Sequence, residues 1–219
     1  MDNDPDGAPQ CPAWDLARTG DPPAGRRPRR RADGAELLDD DTTPLPAYLR
    51  HVLASVHEEI RTIESRIARL ERELRILADA DGVVTRLRTI PGIGLLTATA
   101  LVGTVGHIHA LRRARQFASW LGLTLREHSS GPQRHLGGIS KRGDVYLRCL
   151  LTHGARAVLV AAHRRRRDAQ PLTQLHQWAV AVQARRGHNN ATIAVANKLG
   201  RIVWAVWHKA VPFAAPAAA

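Results

Sequence analysis

Apolar residues recur along the chain at Leu49, Leu53, Val56, Ile60, Ile63, Ile67, Leu70, Leu74 and Leu77, in alternating steps of four and three. That is a heptad seam, with Leu53, Ile60, Ile67 and Leu74 at a and the others at d. The pattern predicts one long helix from Pro46 to about Ala80. Its flanks carry Glu59, Glu64, Arg66, Glu71 and Glu73. In a parallel pair Arg66 faces Glu71 but Glu59 faces Glu64, so the charges leave orientation open. A stripe this narrow and unbroken favours association through a coiled coil over packing on the chain's own domain.

Beyond the seam the apolar period stays helical but is cut into shorter lengths. Leu87-Arg88-Thr89-Ile90-Pro91-Gly92-Ile93-Gly94 precedes an apolar run from Leu95. Proline ends the first helix, the glycines allow a tight turn, and the next helix starts with free N–H groups pointing outward, suited to an anion. This is the pattern of a helix-hairpin-helix element, and it makes Gly92 and Gly94 candidate backbone contacts to nucleic acid; a plain interhelical turn has the same pattern. Leu111 to Leu121 predicts a short helix with Phe117, Trp120 and Leu121 inward. Asp144 starts a helix to about Ala162 with Leu147, Leu151, Val158 and Ala162 on one face. Pro171 opens another, and Asn189 or Asn190 caps the last, whose face is Val195, Leu199, Ile202, Val203 and Val206.

No segment predicts a strand. The expected fold is all-α: a long coiled-coil helix followed by a compact bundle of short helices with a helix-hairpin-helix-like element. Residues 1–45, rich in Asp, Pro, Gly and Arg, are expected to be a disordered tail. The coiled-coil helix takes 46–82, the helical domain 83–213, and a Pro/Ala tail 214–219.

Charge changes the picture from a generic bundle to a partner of polyanions. The chain has 219 residues and a net charge of +12. Residues 1–46 hold ten acids and six arginines, whereas from Val83 onward twenty lysines and arginines face only Glu127, Asp144 and Asp168. Arginine outnumbers lysine by 29 to 3, a bias of composition, so the scarcity of acids is the firmer signal. Such an excess points to nucleic acid held through its phosphates. Cys11 and Cys149 build neither a disulfide framework nor a zinc site, and His107-x-His109 is no strong ligand spacing. No apolar run resembles a secretion signal or reaches the length that spans a bilayer, so a cytoplasmic protein without membrane contact is expected.

The stretch Glu127-His128-Ser129-Ser130-Gly131, followed by Leu136-Gly137-Gly138-Ile139-Ser140-Lys141-Arg142-Gly143-Asp144, carries the candidate chemistry. Two hydroxyls before Gly-Pro belong to a turn. Arg126, Arg134, Lys141, Arg142 and Arg148 lie close in sequence and are suited to phosphate oxygens. A loop serine among such cations is a candidate nucleophile toward a phosphodiester. A serine hydrolase is disfavoured, because Ser130 lacks the Gly-x-Ser-x-Gly elbow.

The order of these features resembles a known family. Arg88-Thr89-Ile90-Pro91-Gly92-Ile93-Gly94, Phe117-Ala118-Ser119-Trp120-Leu121-Gly122-Leu123-Thr124, Ser129-Ser130-Gly131, Gly138-Ile139-Ser140-Lys141-Arg142-Gly143-Asp144, Tyr146-Leu147-Arg148 and Ala196-Asn197-Lys198-Leu199-Gly200-Arg201-Ile202-Val203-Trp204 are similar to the C-terminal half of insertion-sequence one-ten group transposases, relatives of the Piv and MooV invertases. The resemblance covers roughly residues 46–213. It implies that Ser130 is a nucleophile joined covalently to DNA, that Lys141, Arg142 and Arg148 belong to a basic motif, and that a structured bridge RNA is a partner. It also implies a separate RuvC-like domain whose acids hold Mg2+ in the full-length enzymes. The sequence departs at Leu125, where the family has proline, and at His128, where it has tyrosine. No acidic domain is legible in residues 1–45, so the chain is expected to be truncated, to bind no metal itself, and to bind nucleic acid without cutting it alone. The alternative is a non-catalytic helix-hairpin-helix module for nucleic-acid binding and dimerisation.

Overall fold

The computed structural model describes residues 46–130, 133 and 135–214. The expectations for the tails at 1–45 and 215–219, and for Arg134, lie outside these residues. The chain divides into two compact units between Leu77 and Ala78.

The heptad segment forms α1, Ala47–Ala80. At 1.5 Å per residue its 34 residues extend about 51 Å. Leu53, Val56, Ile60, Ile63, Ile67, Leu70 and Leu77 are exposed, from 40% at Leu53 to 70% at Leu77.

From Ala78 the second unit begins with Asp81, whose carboxylate accepts hydrogen bonds from the Val83 and Val84 N–H groups and so caps α2, Gly82–Leu87. A turn over Ile90 to Gly94 leads into α3, Leu95–Val105. A 3-10 turn at Ile108–Ala110 and α4, Ala114–Trp120, follow. After the sheet described below come α5, Val145–Arg167, α6, Gln174–Arg186, and α7, His188–Lys209. Helices α5, α6 and α7 pack on one another, α4 lies on α7, and the α2–α3 pair rests against α7 and α5. Phe117, Leu121, Leu147, Leu151, Leu159, Val195 and Leu199 are fully buried at the centre.

All-α describes this fold broadly, with one correction. Leu125–Glu127 (β1) and Leu136–Ile139 (β2) form an antiparallel pair, with Leu125 opposite Ile139 and Glu127 opposite Leu136. Two helix starts also differ. Thr173 caps α6 through the His176 N–H, so the helix begins after Pro171 rather than at it. Gly187, with φ +78°, turns the chain into α7, which leaves Asn189 and Asn190 within its first turn.

Contrary to expectation, α5 is long and apolar enough to cross a membrane by length and composition. Its Leu147, Leu151, Ala155, Val158, Leu159 and Ala162 are instead the covered centre of this unit.

Candidate serine site and nucleic-acid interface

Ser130 lies beyond the paired strands, bridged to Gln133, whose N–H donates to the Ser130 carbonyl at 3.3 Å. Its side chain is exposed. Ser129 is tied down instead. Its hydroxyl donates to Glu127 Oε1 at 2.8 Å and accepts from the His135 N–H at 3.3 Å. The His128 N–H donates to the His135 carbonyl at 2.9 Å, which continues the ladder. One hydroxyl therefore braces the hairpin and its neighbour stands at the tip.

The base of the hairpin is fixed to the helical core. The Ser140 N–H donates to the Thr124 carbonyl at 2.8 Å and the Lys141 N–H to the Gly122 carbonyl at 3.2 Å. Asn197 Nδ2, from α7, donates to the Leu123 carbonyl at 3.0 Å. Gly143, at φ +151°, passes so close to Trp120 and Leu121 that a side chain would strike their backbone. Asp144 then caps α5 by accepting from the Leu147 N–H at 2.7 Å.

Among the described residues the cations do not gather around the serine. Lys141 and Arg142 are exposed at the base, Arg126 stands on β1 with Nη2 donating to the Ser140 carbonyl at 3.2 Å, and Ser130 is at the far end. Ser130 comes six positions after Thr124, a reach of about 20 Å for extended chain at roughly 3.4 Å per residue. Arg148 is 5% exposed, with Nη1 donating to the Leu121 carbonyl at 3.1 Å. Burial lowers its pKa, opposed by the neighbouring Cys149 and Asp144. Its guanidinium clamps the turn that starts the hairpin rather than facing solvent. Gly92, at φ +84°, abuts the backbone of Gly154 in α5, whereas Gly94 is exposed with open space beside it at the N-terminus of α3.

The acids of this unit after Val83 are also engaged. Glu127 holds Ser129, Asp144 caps a helix, and Asp168 meets Arg167 Nε at 3.0 Å. Among the described residues no group of three or more His, Cys, Asp or Glu is placed to hold a metal ion. These described acids, each engaged elsewhere, do not fit the Mg2+ that the resemblance implies for longer enzymes.

Residues 84–171 match the profile described as the Transposase IS116/IS110/IS902 family. A protein of Pseudomonas aeruginosa named probable family 20 transposase is 43% identical over 182 residues, 81% of this chain and 52% of that protein. The chain belongs to the IS116/IS110/IS902 transposase family. A second relative is the transposase for insertion sequence element IS1111A of Coxiella burnetii, 39% identical over 170 residues, 78% of this chain and 45% of its own length. The transposase for IS1328 of Yersinia enterocolitica is 36% identical over 162 residues, 74% of the chain and 47% of that protein. The chain spans about half the length of these transposases. Within the family segment, sequence reading missed the hairpin and the clamp made by Arg148. The first has only a short alternation, Leu125-Arg126-Glu127, as its signal, and the second has none short of the fold.

Proposed function

We propose that this chain is the DNA-holding, serine-bearing part of an insertion-sequence transposase, with Ser130 as its nucleophile. The observation that carries the reading is an exposed hydroxyl at the tip of a hairpin whose base is fixed to the core. The large cationic excess and the transposase names of the relatives support it. In the step proposed, Ser130 Oγ forms a bond to phosphorus as a strand P–O bond breaks. The leaving oxygen takes the electron pair and, in the end, the hydroxyl's proton. One phosphodiester replaces another, so the reverse attack by a strand hydroxyl rejoins DNA without an external energy source. Activation of the hydroxyl still needs a base or a metal, and the described residues offer no evident group for Ser130. The chain alone is therefore expected to bind without cutting.

Duplex binding is the test. With Arg126, Lys141 and Arg142 on phosphates, log affinity against log salt should slope at about −3 or steeper, at roughly −0.9 per phosphate. A flat response removes this reading and its alternative together. That alternative, a non-catalytic helix-hairpin-helix module, is favoured by the distance between Ser130 and the cations at the hairpin base. A structured bridge RNA enters as a proposed partner through the resemblance and is titrated in the same way.

The exposed seam of α1 supports a second copy as partner, joined through a coiled coil. Each buried isoleucine there contributes about 1.5–3 kcal/mol. Ile60→Lys with Ile67→Lys is expected to turn a dimer into a monomer at micromolar concentration in analytical ultracentrifugation. An unchanged sedimentation coefficient would remove the coiled coil from the proposal.

A further inference from the structure

A groove of about 1280 Å³ lies between the hairpin and the outer side of α7, with α4 and α6 at its margins. Ile193, Ala194 and Ile202 give it apolar surface on α7, and Leu125, Leu136 and Ile139 line it from the strands. Four cations, Lys141, Lys198, Arg201 and Lys209, share the lining with one acid, Glu127, whose carboxylate is bonded to Ser129. Lys198 Nζ sits 4.1 Å from the centroid of the Trp178 ring, also in the lining. We propose that this groove holds an unpaired DNA strand, its bases against the apolar surface and its phosphates on Lys198, Arg201 and Lys209, and leads it toward the serine hairpin.

Three features select that occupant. A predominance of cations suits a polyanion rather than an apolar peptide. Apolar walls suit base faces, which a duplex keeps stacked inside and only an unpaired strand presents. The hairpin wall favours DNA as the strand: Glu127, in the lining, is three positions before Ser130, about 10 Å of extended chain, so the groove runs toward the proposed nucleophile. Lys198 adds support, since burial first and Arg201 second lower its pKa. A phosphate placed between the two would offset both effects by favouring the charged amine. The inference rests on the reading that this domain acts on DNA, and it adds where the strand lies.

The test titrates the full chain with fluorescein-labelled oligothymidylate of about 12 nucleotides, a length within usual single-strand site sizes, and in parallel with a duplex of equal length. Arg201 and Lys209 are exposed, so Arg201→Ala with Lys209→Ala leaves the core untouched, as circular dichroism would verify. The double variant should bind the single strand about tenfold more weakly, with a salt slope shallower by about 1.4, at roughly 0.7 per phosphate lost. Duplex affinity should change less than twofold. Oligothymidylate should quench tryptophan emission, and Trp178→Phe should reduce that quenching, the remainder coming from Trp204, which also lines the groove. Equal weakening of single strand and duplex would overturn the groove assignment. So would oligouridylate bound tenfold more tightly than oligothymidylate. A wild-type chain that binds duplex with the expected salt slope but ignores the single strand sinks this inference and leaves the proposed function standing; one that binds neither sinks both.

Discussion

Ser130→Ala is expected to abolish the covalent protein–DNA adduct, by about a thousandfold or more, while duplex affinity stays within twofold. Removing a nucleophilic oxygen deletes the bond-forming atom itself, and losses of this size follow when no neighbour can substitute. The Ser130 side chain is exposed, so alanine there should leave the fold intact. The measurement is a denaturing gel of labelled DNA incubated with this chain combined with the acidic metal-binding domain that the resemblance implies. Ser129→Ala is the comparison. It breaks the bonds to Glu127 and the His135 N–H, so it should loosen the tip and reduce adduct about tenfold, in line with a misplaced reactive group. Adduct that persists in Ser130→Ala but vanishes in Ser129→Ala would move the chemistry to the braced hydroxyl.

The second large effect is on the fold. Gly154→Ala is expected to cost about 2–4 kcal/mol, the overpacking range at a site with no room to relax. A Cβ there would run into the Gly92 carbonyl, and a Cβ on Gly92 would lie 2.5 Å from the Gly154 carbonyl oxygen and 2.9 Å from Val158 Cγ2. Backbone cannot swing aside as the end of a side chain can. Gly92→Ala should cost about 1 kcal/mol more, because φ is +84° there and a left-handed conformation penalises any Cβ. For a unit of this size the loss corresponds to a drop in Tm of about 10 °C. Gly94→Ala meets nothing within 4 Å and should cost no more than about 1 kcal/mol, as for an ordinary helix cap. Urea unfolding of the three variants decides the matter; equal midpoints would show that the close approach is not rigid.

Sequence periodicity carried much of this fold, because helices of ten residues or more repeat their apolar step often enough to be seen. The seam of α1 recurs over nine positions, and the inward face of α5 appears at Leu147, Leu151, Val158 and Ala162. The hairpin escaped for the opposite reason. Its strands are three and four residues long, and Gly137-Gly138 offers no side chain to a pleated face. Ser130 was legible as an exposed turn residue. The role of Arg148 was not, since its acceptor at Leu121 is 27 positions away and nothing local marks it. Arginine in a basic segment reads as a surface charge until a fold buries it. Gly92 was similarly legible as a turn former, while its partner Gly154 is silent within a helical pattern.

Helix α5 begins at the foot of the serine hairpin and finishes in Arg164, Arg165, Arg166 and Arg167. Its 23 residues make a strut of about 34 Å. That length equals about one turn of B-form duplex, roughly ten base pairs. A duplex lying along the strut and gripped at both ends would present the same groove to each, so such contacts would repeat in phase with the helical pitch.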